Sequence, residues 1–338
     1  MNFKAVIRLF KETFEEWSKD KASRLAAALS YYTIFSIAPL LVIIIAVVGA
    51  VFGEDAARGA IESQLAGLIN PEGAKVIQNA IANASQPQQG TVASIISVAV
   101  LLFGATGLFT ELQDALNTIW EVQPKPGRAV KNMVRQRFLS FAMILGIGFL
   151  LLVSLVVSTA LSTAITYFSN ILPGADIVWQ FVNFLLSFAI TTVLFGLIFK
   201  VLPDVKITWS DVLIGASITS LLFSLGRYLL GLYLARATFT STYGAAGSIV
   251  VILFWVNYAA QILFFGAEFT QVYARRYGTQ IVPDKNAVPI TEQARLQQGM
   301  KPNNSPSKRT SGRKNGSNWL NRLMRQLKPS KNNKRKNY

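Results

Sequence analysis

The chain alternates between long stretches without a charged residue and short polar segments. Leu25 to Gly53 is uncharged, as are Val76 to Thr110, Phe138 to Ala175, Ile177 to Phe199 and Ala237 to Ala267; Val212 to Ala235 holds only Arg227. A helix that crosses a bilayer needs about 20 mostly apolar residues. The run ending at Thr110 becomes apolar only at Thr91, after the polar stretch Ser85 to Gly90. The pattern predicts an all-α, polytopic membrane protein with six transmembrane helices, over 28–52, 91–111, 138–168, 177–199, 211–234 and 246–271. The first run is too long and begins too late for a cleaved signal peptide.

Outside the spans, amphipathic stretches follow a helical period. Phe3, Val6, Ile7, Phe10, Phe14 and Trp17 lie opposite Lys4, Lys11, Glu12 and Glu15, which predicts an interfacial helix on the inner leaflet. Between the first two spans, Ile61, Leu65, Leu68 and Ile69 form one stripe and Val76, Ile77, Ala80 and Ile81 another, broken at Asn70-Pro71-Glu72-Gly73. These stripes fit equally a pair of helices lying on the membrane and a pair packed on the protein.

Charge then sets the orientation. The chain carries 33 Lys and Arg against 17 acids, a net of +16. From Arg275 onward there are 16 bases and two acids, Asp284 and Glu292, so this stretch alone is +14 and the remainder only +2. The segment before the first span has six bases, the second connection has five (Lys125, Arg128, Lys131, Arg135, Arg137) and the third has none. By the positive-inside rule, both termini face the cytoplasm. The expected organisation is a six-span membrane domain over 1–278 and a basic, largely disordered cytoplasmic tail over 279–338. In that tail Trp319, Leu323 and Leu327 lie among Arg322, Arg325 and Lys328, a composition suited to anionic lipid. Lipid and topology account for the charge without nucleic acid. Cysteine and histidine are absent, which excludes disulfides, zinc sites built on them and imidazole bases.

Four stretches carry a resemblance. Ala26-Ala27-Ala28-Leu29-Ser30-Tyr31-Tyr32-Thr33-Ile34-Phe35-Ser36-Ile37-Ala38-Pro39-Leu40 is similar to the first-span signature of the YihY/virulence factor BrkB family. Ala115-Leu116-Asn117-Thr118-Ile119-Trp120-Glu121-Val122 follows the second span, and Leu202-Pro203-Asp204 with Trp209 and Gly215-Ala216 enters the fifth. Tyr243-Gly244-Ala245-Ala246-Gly247, Trp255 and Gly266-Ala267-Glu268 fit the sixth. The resemblance covers roughly residues 5–278. It implies a six-span inner-membrane protein of a family described as transporters or permeases. The family has also carried the label ribonuclease BN, generally regarded as a misassignment.

Polar groups within spans are the candidate site, because each is costly in hydrocarbon unless paired or hydrated. Arg227 stands about 24 Å along the fifth span, placed to snorkel outward or to meet a substrate or lipid phosphate, with Asn183 at similar depth. Glu268, near the inner boundary, is expected to pair with Arg24, Arg135 or Arg137, or else to couple a proton or ion. Asn257 and Gln261 share one face of the sixth span and either bond between helices or line a polar cavity. Pro39 interrupts the first span's hydrogen bonds, with Ser36 one turn before it. Gly104 with Gly107, Gly226 with Gly231, and Gly244 with Gly247 permit close helix contacts; the last pair alternatively caps the span.

Glu111, Asp114 and Glu121 recur with Thr118 at helical spacing on the inner face, just past the second span. They are the one constellation a metal-dependent nuclease has to offer, and facing bases from Arg128 to Arg137 explain them more simply. No catalytic residue, metal or cofactor is assigned. The leading function is a transporter or lipid-handling permease acting on a small molecule or lipid. The alternatives are a non-transporting scaffold for envelope partners and, further off, a tRNA-processing ribonuclease.

Overall fold

The computed structural model describes residues 3–68, 71–84, 91–125, 135, 138–139, 141–150, 153, 157, 176–236, 239–278 and 281–300. Ten helices are described: α1 (Phe3–Lys19), α2 (Ala22–Phe52), α3 (Glu54–Leu68), α4 (Pro71–Ala84), α5 (Thr91–Ile119), α6 (Phe141–Leu150), α7 (Asp176–Val201), α8 (Trp209–Arg236), α9 (Phe239–Tyr277) and α10 (Glu292–Gln297). Four short strands, β1 (Val122–Pro124), β2 (Val205–Lys206), β3 (Val282–Pro283) and β4 (Ala287–Pro289), form two antiparallel pairs, β1 with β4 and β2 with β3.

Four described helical segments are long and apolar enough to cross a bilayer: Ala22–Phe52, Phe184–Val201, Trp209–Leu230 and Ile249–Tyr277. They correspond to the first, fourth, fifth and sixth expected spans. No more than 33% of the apolar window of any of them is buried within the protein. The remainder, including Phe35, Phe184, Leu221 and Phe254, is exposed, and such a surface is stable only against lipid. The second expected span lies in α5, and the third is described only in part.

The small-residue contacts decide how closely the helices approach. α2 packs along α5 and α9, α7 on α8, and α8 on α9. Pro39 does not end α2; it faces α5 at Gly104, where an added Cβ would stand 3.1 Å from the proline ring. A Cβ at Gly107 would stand 3.3 Å from Ser36 Oγ. Between α8 and α9 the fit is reciprocal. Thr219 Oγ1 donates to Gly215 O on α8 and Thr270 Oγ1 to Gly266 O on α9, each at 2.7 Å. Across the interface, a Cβ on Gly215 would overlap Thr270, and one on Gly266 would overlap Thr219. Gly226 likewise lies against Tyr258 and Ile262. The Gly244–Gly247 pair sits inside α9, which starts at Phe239, so it does not cap the helix as the sequence allowed.

Gly53, at φ 91°, ends α2, and Glu54 and Asp55 then start α3 where the helix dipole favours acids. Pro71 opens α4. Ala57, Ile61, Ile77 and Ile81 are buried with Ile44, Ile45 and Val48 of α2. Ile61 of the first stripe and Ile77 and Ile81 of the second therefore pack on the protein, while Leu65, Leu68 and Ile69 lie outside the described side chains.

At 39 residues α9 is about 58 Å long, nearly twice the ~30 Å hydrocarbon core. Its surplus carries Glu268, Gln271, Arg275 and Arg276, and α1 lies against it. Leu9, Thr13 and Glu16 are buried there, Phe10 stacks near Phe265 and Phe269, and Phe3, Ile7 and Phe14 stay exposed. The apolar stripe of α1 is thus divided between protein and surroundings.

Residues 281–300, which the sequence assigns to the tail, instead belong to the folded unit that runs from Met1 to Lys301. Their backbone finds partners in the turns after α5 and α7, which composition alone does not reveal. Trp319, Arg322, Leu323, Arg325 and Lys328 lie outside the described residues.

Gly266→Ala should lower stability by about 1–3 kcal/mol through overpacking, seen as a lower melting temperature of the solubilised protein. Gly59→Ala, with nothing within 4 Å of its Cβ position, should not. Equal effects at the two sites would contradict the reciprocal packing.

Candidate functional site

The end of the bundle where α1, α5, α7 and α9 meet residues 281–300 is built from buried charge. Asp204, 4% exposed, accepts from Arg135 (2.5 Å), Asn117 Nδ2 (3.1 Å) and Gln113 Nε2 (3.4 Å), and its own N–H donates to Asn117 Oδ1 at 2.7 Å. The same Arg135 reaches Asp284 at 3.0 Å, and the Asp284 N–H donates to Asp204 O at 2.8 Å. A buried carboxylate is tolerable only with this degree of satisfaction.

A second knot surrounds Arg295 of α10, itself 3% exposed. It contacts Asp20 at 2.7 Å and Glu121 at 3.2 Å. Glu121 reaches it because the chain leaves α5 through a left-handed residue there, φ 56°. A non-glycine residue in that region costs about 1–2 kcal/mol. Lys21, at φ 54°, makes the corresponding turn between α1 and α2. Gln271 donates to Ile119 O at 2.7 Å and accepts from Arg275 at 2.9 Å. Glu16 takes Lys19 at 3.0 Å and Arg275 at 3.8 Å, and Arg276 pairs with Glu12.

Beside these groups is an open cavity of about 380 Å³, lined by Trp120, Glu121, Gln271, Arg275, Ile281 and Pro283 among others. One turn from Gln271 stands Glu268. It is fully buried, and neither carboxylate oxygen has a hydrogen-bond partner among the described residues.

The expected partners of Glu268 are engaged elsewhere: Arg24 with Gln298 O at 2.6 Å, and Arg135 with the two aspartates; Arg137 lies outside the described residues. Of the loop bases expected to face the second-span acids, Arg128, Lys131 and Arg137 lie outside the described residues. Glu121 turns to Arg295, Glu111 is half-buried and Asp114 exposed, and no group of three metal-ligating side chains gathers among the described residues. Asn257 and Gln261 bond to each other within α9 at 2.7 Å. Arg227 is exposed on α8. Asn183 is in α7, its side chain outside the description. Among the described side chains, no hydrogen bond joins Arg227, Glu268 and the Asn257–Gln261 pair. The convergent residues are Asp20, Gln113, Asn117, Asp204, Gln271 and Arg295, none of them marked by a charge inside an apolar run.

Burial pushes the Asp20 carboxyl from its ordinary 3.8 up to about 6, against the opposing pull of Arg295. The folded carboxyl then holds its proton more tightly than the unfolded one, so this group's contribution to stability falls as pH rises from about 4 to 6 and levels off above. The melting temperature of the native chain relative to Asp20→Asn should fall over that interval. A difference independent of pH would contradict the assignment.

The comparisons with known proteins agree with this architecture. The virulence factor BrkB family matches residues 13–291, which includes the strand-forming segment beyond α9. A UPF0761 membrane protein of Saccharophagus degradans is 27% identical over 273 residues, 80% of this chain and 61% of its own length. One from Teredinibacter turnerae is 26% identical, over 82% of this chain and 63% of the relative, and one from Pseudomonas aeruginosa 28%, over 73% and 58%. The chain thus spans about three fifths of the relatives it matches. Their names state a membrane protein and no enzymatic activity. No solved structure matches. On the family match over most of its length, the chain belongs to the virulence factor BrkB family of membrane proteins.

Proposed function

We propose that this protein is an inner-membrane permease, with both termini on the cytoplasmic side, that moves a small solute and exchanges a proton or cation at Glu268. One observation carries the reading: a carboxylate enclosed at the boundary of a membrane-spanning helix, with both oxygens unpartnered among the described residues. A structural acid in such a place is normally satisfied, as Asp204 is. An unsatisfied one is expensive, and the expense is explained if the group takes up and releases a cation during a working cycle. Gln271, one turn along α9 from that group, and Arg275 line the nearby open cavity. The excess of bases at this end supports the orientation.

The test uses the full chain in proteoliposomes with an entrapped pH-sensitive dye, an imposed pH gradient and an external panel of amino acids, sugars and inorganic ions. Solute-dependent proton movement should appear and should drop roughly 100-fold in Glu268→Gln, with the melting temperature unchanged or raised. Wild-type flux in Glu268→Gln, or no flux with any solute, would overturn the reading.

A further inference from the structure

A second cavity, also about 380 Å³, lies away from the polar end and has a different lining. Phe14 and Trp17 of α1 roof it, Leu225 and Leu229 of α8 form one wall, and Ile262 and Phe265 of α9 the other. Its floor is the point where Gly226 brings α8 against Tyr258. Leu225, Leu229 and Phe14 are more than half exposed, so the groove opens sideways from the bundle.

We propose that this groove seats one acyl chain of an anionic glycerophospholipid, whose phosphate meets the basic face of α1. Three features select that occupant. First, both walls are membrane-spanning helices, so what lies against the opening is lipid. Second, apart from Tyr258 and Gln261 the lining is apolar, Leu222 and Ile262 included, which suits a hydrocarbon chain rather than a polar solute. Third, the mouth has polar groups of the right sign. Lys11, on the polar side of α1 but only three residues before Phe14, is exposed where the two sides of the helix border each other, with Arg8 and one acid, Glu15, exposed beside it. Trp17 Nε1 is a buried donor with no hydrogen-bond partner among the described residues. The site is independent of Glu268, and its test does not depend on transport.

The experiment reads Trp17 fluorescence, taken as native chain minus Trp17→Phe, in vesicles holding a small fraction of lipid brominated on its acyl chains. Brominated phosphatidylglycerol should quench Trp17 at about fivefold lower mole fraction than brominated phosphatidylcholine. Lys11→Gln should erase most of that preference. Leu225→Phe, which narrows the groove at an exposed wall, should weaken quenching by both lipids with the preference kept. Equal quenching by the two lipids in the native chain, or no change in either variant, would overturn the proposal. So would a Trp17 shielded from both lipids by a second copy of the chain, detected as a crosslinked dimer.

Discussion

The carboxylate of Asp204 is enclosed almost completely, and its partners come from stretches of chain far apart in sequence. Gln113 and Asn117 stand on α5, Arg135 lies in the second connection, and Asp284 comes after α9. A buried charge is costly alone, so these groups must arrive together or not at all. Once they do, β1 pairs with β4, β2 with β3, and residues 281–300 are held across the ends of α5 and α7. Arg295 then falls between Asp20 and Glu121, which fixes the turn from α1 into α2. The location of the α1–α2 corner, and with it the roof of the lateral groove, follows from how the polar end is tied.

The length of α9 explains why such an end exists. A helix of about 58 Å cannot be hidden in a ~30 Å core. Its surplus has to be clothed in water-compatible groups, and the protein does this with α1 on one side and the strand pairs on the other. Within the membrane the packing is made differently, through Gly226 with Tyr258 and Ile262, because lipid gives helices no hydrophobic reason to associate. One long helix therefore carries two kinds of cohesion: small-residue contact at one level and ion pairing at the other. Glu268 stands where they meet.

Much of this was legible in the sequence. Spans of 20 apolar residues announce themselves without knowledge of the fold, and Gly104, Gly107 and Gly226 were visible as places for close approach. The expected interfacial stripe of α1 and the stripes of α3 and α4 were correct as helices, while which surface they cover is a tertiary matter. The polar end was not legible, because its pairs are separated by 87 residues for Asn117 with Asp204 and by 275 for Asp20 with Arg295. Arg295 was counted among the tail's charges, and nothing local distinguishes it from the bases that follow. Arg227, by contrast, drew attention through its cost in hydrocarbon, yet it points out of the bundle. Cost marks a residue as needing an explanation, and snorkelling is sufficient for a long side chain on a lipid-facing surface.

The claim on which the rest depends is that residues 281–300 close the polar end. The chain contains no cysteine, so paired cysteines can be placed in the native sequence without background. Gln123 and Val288 are direct partners in the β1–β4 ladder, a separation that suits a disulfide. In membranes treated with oxidant, Gln123→Cys with Val288→Cys should form an intramolecular disulfide, and disruption of the knot by Asp204→Asn should reduce its yield. If the two cysteines stay unlinked while both react freely with a maleimide, the segment does not lie where this account puts it.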